Sequence, residues 1–167
     1  MEDLAKLETE LRARDGSCRD INFSEYISRD SAERLLDAML GEWSFSSAID
    51  GEGKSLTFTG MKDQLQNAEG SFNVFWVEGA LIANLDCYFQ WNNVSDVFCE
   101  LTFHQEDIVE SNFTMPKFMA MLGWLATAAQ SAEYYVRSGD MSWYYDKSPS
   151  HGSVIFSHHT LPLEGAN

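Results

Sequence analysis

From residue 71 onward the hydrophobic pattern has a period of two. Phe72, Val74 and Trp76 alternate with other residues, and Leu81, Ala83, Leu85, Cys87, Phe89 and Trp91 do the same over eleven residues. Val97, Cys99, Leu101 and Phe103 form a third set. Such alternation puts each set on one face of a strand, so the pattern predicts three half-buried strands. A two-residue turn at Glu78-Gly79 pairs Trp76 with Leu81, Val74 with Ala83 and Phe72 with Leu85, all on one face. Keeping the third set on that face needs an odd loop after Trp91, of three or five residues, or a bulge. With three, Cys87 opposes Cys99. The segment at about 71–103 is therefore a three-stranded antiparallel meander.

Around it the period changes. Leu4, Leu7 and Leu11 mark a short amphipathic helix ending near Gly16, followed by a polar connector, GSCRD. Asp30 and Glu33 have capping-box spacing before the stripe Leu35, Leu36, Met39 and Leu40, with Gly41 as a C′ residue, which predicts a helix over 31–40. Trp43, Phe45 and Ile49 precede the turn-rich DGEG at 50–53, and Leu56 and Phe58 follow it, as in a hairpin. Gly60–Gly70 is a polar connection with one helical turn at Met61–Gln66. Thr114 and Pro116 open a third helix. Phe118, Leu122, Leu125 and Ala129 share one of its faces, while Met119, Ala120, Gly123 and Trp124 make the rest apolar, so it should be largely buried. Residues 132–137 fit either continued helix or strand; Tyr134, Tyr135 and Val136 favour strand. Trp143–Tyr145 and Val154–Phe156 read as further short strands, and Pro162–Asn167 as a frayed tail. The expected fold is α+β: an antiparallel sheet, the meander plus flanking hairpins, packed against two or three helices. One domain over 1–167 is expected, with a loosely attached N-terminal helix in 1–20 as an option.

Charge narrows the partners. The net charge is −15, and residues 41–110 alone carry twelve acids and two bases. Between Lys62 and Lys117 there is no lysine or arginine but there are nine carboxylates, most of them on the meander or the loop after it. Acidity serves solubility in any case. Such a field also repels nucleic acid and anionic membrane surfaces and attracts cationic proteins. No apolar run approaches the ~20 residues of a membrane span. MEDLAKLETE lacks the basic and apolar regions of a signal peptide, so a cytoplasmic protein is expected. Cys18, Cys87 and Cys99 have no metal-type spacing and read as reduced thiols.

The second face of the meander carries Asn73, Phe75, Val77, Ile82, Asn84, Asp86, Tyr88, Gln90, Asp96, Phe98, Glu100 and Thr102. Aromatics there can anchor a protein partner while carboxylates pair with its Lys and Arg side chains. The competing reading is that helices cover part of this face and make it a second core layer. Glu106, Asp107 and Glu110 form an acidic loop that lacks the glycine and alternation of a calcium site. The candidate partner-binding residues are thus Asp86, Tyr88, Asp96, Glu100, Glu106, Asp107 and Glu110, with no catalytic residue, metal or cofactor. His104, His151, His158 and His159 sit in no HExxH context, and neighbours on a strand point apart.

SAERLLDAMLGEW, the Trp-rich meander after it and the closing VIFS strand resemble, in overall character, the immunity proteins of bacterial polymorphic-toxin and contact-dependent or type VI secretion systems. The resemblance implies a cytoplasmic antitoxin that binds a cognate toxin domain and occludes its active site; it assigns no residue. Two alternatives come from other classes. One is a small metal-dependent hydrolase using His158 or His159 with carboxylates. The other is a regulatory module binding a small ligand between the sheet and the third helix.

Overall fold

The three period-two segments form the middle of an eight-stranded antiparallel sheet. The computed structural model of the protein describes residues 3–93, 95–139 and 154–159. Its strands are β1 (Arg19–Asn22), β2 (Ser44–Asp50), β3 (Ser55–Leu56), β4 (Gly70–Val77), β5 (Leu85–Trp91), β6 (Val97–Phe103), β7 (Glu133–Ser138) and β8 (Val154–His159). The helices are α1 (Leu4–Arg12), α2 (Arg29–Met39), α3 (Phe58–Gln64) and α4 (Met115–Ala128). Across the sheet the order is β3-β2-β4-β5-β6-β1-β7-β8. The α+β class and the meander therefore stand, and the 132–137 ambiguity resolves to strand. The expected strand at Trp143–Tyr145 and the tail at 162–167 lie outside the described residues.

Within the meander the parity is as expected but the register is not. Trp76 pairs with Leu85, Val74 with Cys87 and Phe72 with Phe89, a shift of four from the register of a tight turn. Residues 78–84 leave the sheet instead. Gly79 N–H donates to the Ala83 carbonyl, Ile82 bridges to Ile108, and the Trp43 indole N–H donates to the Ile82 carbonyl at 2.8 Å. These contacts bury Leu81 and Ile82 as a plug over the sheet end. A shift of four preserves parity, which is why the apolar face survives it. The next loop is the five-residue one: Trp91 pairs with Val97 and Phe89 with Cys99, so Cys87 faces Leu101 rather than Cys99. Gly79 is locked in this plug, where a Cβ would overlap the Ile82 carbonyl oxygen and the Trp43 indole nitrogen. Gly79→Ala should cost close to the top of the ~1–3 kcal/mol range for overpacking, measured by urea denaturation.

β1 corrects the expectation of a polar connector at 16–20. Its RDIN sequence lies between β6 and β7 and every residue in it is buried. Polar side chains survive there because each is partnered. Arg19 lies on the side of Phe103 and donates to the carbonyls of Glu10, Leu11 and Ala13 at 3.0 Å each, satisfying the orphan C-terminal carbonyls of α1. Leu7 and Leu11 of α1 are buried in the core.

The four helices of the described residues pack on one face. Phe118 of α4 meets Phe103 at 5.9 Å and Phe156 at 6.2 Å, and Phe58 of α3 meets Trp76 at 6.3 Å. Ser28, not Asp30, caps α2, accepting from Ser31 N–H at 3.0 Å. Thr114 caps α4 as its sequence predicts. A bulge between Phe45 and Ser47 changes the parity of β2, so Ala48 is buried and Ile49 exposed, against the alternation expected for Trp43, Phe45 and Ile49. Trp124 is 42% exposed, so α4 is not buried all round.

Candidate functional site

Among the described residues no helix lies over the second face of the meander. Strand register arranges that face in rows. One row runs Arg137, Asp20, Thr102, Asp86, Phe75 and Ser47 across β7, β1, β6, β5, β4 and β2. The next places Glu100, Tyr88 and Asn73 side by side, with Asn22 donating to Glu100 at 3.2 Å. A third holds Phe98, Gln90 and Ser71. The Ile27–Val97 bridge sets Tyr26 beside Phe98 at its end. Phe75, Asp86, Tyr88, Phe98 and Glu100 are half-buried by one another, and Gln90 is exposed. Over the meander the face is therefore a half-exposed surface, whereas Asp20, Asn22 and Arg137 at its β1–β7 side are buried.

Its two halves differ. Toward β7 the charges are internally paired. Arg137 Nη2 donates to Glu100 Oε2 at 2.6 Å and to Asp20 Oδ2 at 3.2 Å, and its Nε donates to Asn22 Oδ1 at 3.0 Å. Thr102 Oγ1 donates to Asp20 Oδ1 at 2.6 Å. Glu100, expected to meet a partner, is thus committed to Arg137. Away from that network, among the described residues, the carboxylates have amide donors only: Asn73 donates to Asp86 at 3.2 Å and Asn93 to Asp96 at 3.2 Å. Neither Asp86 nor Asp96 is ion-paired among the described residues. Burial against the neighbouring rings raises the Asp86 pKa, opposed by the Asn73 hydrogen bond and the charge of His104.

A carboxyl whose folded value is raised is costly when ionised, so the cost is full above that value and vanishes as pH falls below the ordinary 3.8. Asp86→Asn keeps the Asn73 contact and should raise the melting temperature at pH 7, with the gain gone at about pH 3.

The acidic loop after β6 divides in three. Glu106 is exposed. Asp107 is structural, accepting from His104 N–H and from the Asn84 amide, each at 2.9 Å. Glu110 turns toward the helical side, where Arg12 of α1 donates to it at 2.7 Å. The seven predicted residues thus do not form one patch. Asp86, Tyr88 and Glu100 share the open face, Asp96 borders it, and Glu106, Asp107 and Glu110 lie beyond its other end. Sequence reasoning missed Asp20, Asn22, Arg137 and Tyr26; an exposed tyrosine in the polar stretch SEYIS was the available signal for the last.

Among the described residues no group of three His, Cys, Asp or Glu side chains could hold a metal ion. His158 stacks on Tyr134 at 5.4 Å, and His151 and the His159 side chain are outside the described residues. Burial pushes the thiols of Cys87 and Cys99 up, as for inert core cysteines. Buried Phe103, Phe118, Leu122 and Leu125 pack between sheet and α4, where the small-ligand alternative needs its pocket. No helix among the described residues is long and apolar enough to cross a membrane. No family model, no curated protein and no solved structure matches the chain.

Proposed function

We propose that the protein is a cytoplasmic immunity protein that binds a cognate, basic toxin domain and occludes it through the open face of its sheet. The observation that carries this reading is a carboxylate, Asp86, with no Lys or Arg partner among the described residues, set among half-exposed rings on a meander face over which no described helix lies. Such a group costs stability in the free protein and is repaid when a partner supplies the cation. The aromatics Phe75, Tyr88 and Phe98 give desolvated anchors beside it. The absence of any Lys or Arg between Lys62 and Lys117 leaves nothing in that segment to repel a basic cleft.

A toxin gene beside this one would supply the candidate partner. Titration calorimetry with its toxin tip should show tight binding that weakens with added salt and with Asp86→Asn. An active toxin tip that neither binds the protein nor is inhibited by it would contradict the proposal.

A further inference from the structure

We infer that the recess at the Tyr26 end of the open face is a site for an arginine side chain, the anchor by which the partner docks. The inference rests on the reading above and gives the partner's chemistry. The recess has a volume of about 280 Å³ and is lined by Tyr26, Gln90, Trp91, Asn92, Asp96 and Phe98. Three of these arrive by register: the Ile27–Val97 bridge sets Tyr26 beside Phe98, and Phe98 pairs with Gln90. Trp91 borders the recess while its ring packs against Phe72 on the apolar face, and Tyr26 stands 49% exposed at the mouth.

The donor and acceptor inventory selects the ligand. Two aromatic rings offer π faces, which attract a cation. Asp96 is anchored by hydrogen bonds within its own loop: Asn93 Oδ1 accepts from the backbone N–H of Ser95 and of Asp96, each at 2.9 Å, and the Asn93 amide donates to Asp96 Oδ2. That carboxylate has no ion-pair partner among the described residues, and it lines the recess together with Gln90 and with Asn92, whose Oδ1 also accepts from the Asn93 amide at 3.4 Å. A guanidinium is planar enough to stack on Tyr26 or Phe98 while its edge donates to carboxylate and amide. An ammonium can make the charge contact but cannot stack in that way. An anion meets a carboxylate, and an aliphatic group offers that carboxylate neither a charge nor a hydrogen bond.

The test needs no toxin. Acetyl-Gly-Arg-Gly-amide is titrated into the ¹⁵N-labelled protein at low salt, alongside the same peptide with neutral citrulline in place of arginine. The arginine peptide should shift the side-chain amides of Gln90 and Asn92 and the backbone signals of 96–98, and the citrulline peptide should not. Tyr26→Ala, at an exposed position, and Asp96→Asn, which keeps the Asn93 contact, should each weaken this binding roughly threefold or more. The inference is overturned if the two peptides shift the same signals equally, if shifts fall on 104–110 instead, or if neither variant changes them. Binding of the toxin tip and its loss with Asp86→Asn report on the broader reading, so the two can fail separately.

Discussion

Arg137→Met is expected to lower the unfolding free energy by about 3–5 kcal/mol, the usual cost of removing one member of a buried charge network. Arg137 and Asp20 are 2% and 6% exposed at their side chains, and Glu100 22%. The substitution leaves both carboxylates in place without the guanidinium that holds them, and takes a donor from Asn22. Neutralising the network as a unit, with Asp20→Asn and Glu100→Gln added to Arg137→Met, should recover part of the loss, because the penalty comes from uncompensated charge rather than from the lost attraction. Urea denaturation of the single and triple variants checks both statements. A single-variant loss below about 1 kcal/mol would mean that these charges are solvated in the folded protein.

The largest effect on binding is expected from the rings. Tyr88 and Phe98 meet edge to face at 6.3 Å on the open face, between the paired network and the Tyr26 recess. Truncating both, as Tyr88→Ala/Phe98→Ala, should weaken partner binding about 100-fold, roughly 1.4 kcal/mol for each anchor. Both side chains are half-buried and outside the main core, so the variant should keep its fold by circular dichroism. Removing Glu106, which is exposed beyond the end of the face, should change affinity only slightly, as rim charges do. Neutralising Asp86, Glu100, Glu106 and Asp107 together would confuse binding with stability, because Glu100 holds Arg137 and Asp107 caps the turn at His104. Asp86→Asn with Asp96→Asn is the cleaner charge variant.

What the sequence makes legible is the periodic part. Alternation from Phe72 to Phe103 identifies three strands and the correct inner face, and Thr114 with Pro116 marks the start of α4. Register is less legible, because the tight turn at Glu78-Gly79 gives way to contacts from Trp43 and Ile108, both far away in the chain. β1 is illegible for a related reason. RDIN has the composition of a connector, and its burial depends on partners outside it: the α1 carbonyls for Arg19, Thr102 and Arg137 for Asp20, and Arg137 and Glu100 for Asn22. The candidate site follows the same division. Asp86 and Tyr88 were visible from strand parity, whereas the commitment of Glu100 to Arg137 and the placing of Tyr26 beside Phe98 depend on long-range pairing. Trp124 departs from expectation because an apolar helix reads as buried on every side, yet α4 buries Phe118, Leu122 and Leu125 and leaves Trp124 exposed.

The central claim is that the open acidic–aromatic face is where a basic protein binds. The direct measurement compares tagged wild-type protein with the Tyr88→Ala/Phe98→Ala variant as bait in extracts of the native cell, at low and high salt. The account predicts one basic protein retained by the wild type at low salt, released at high salt and absent from the variant. Equal retention by the variant, or a retained partner that is acidic and indifferent to salt, would contradict it.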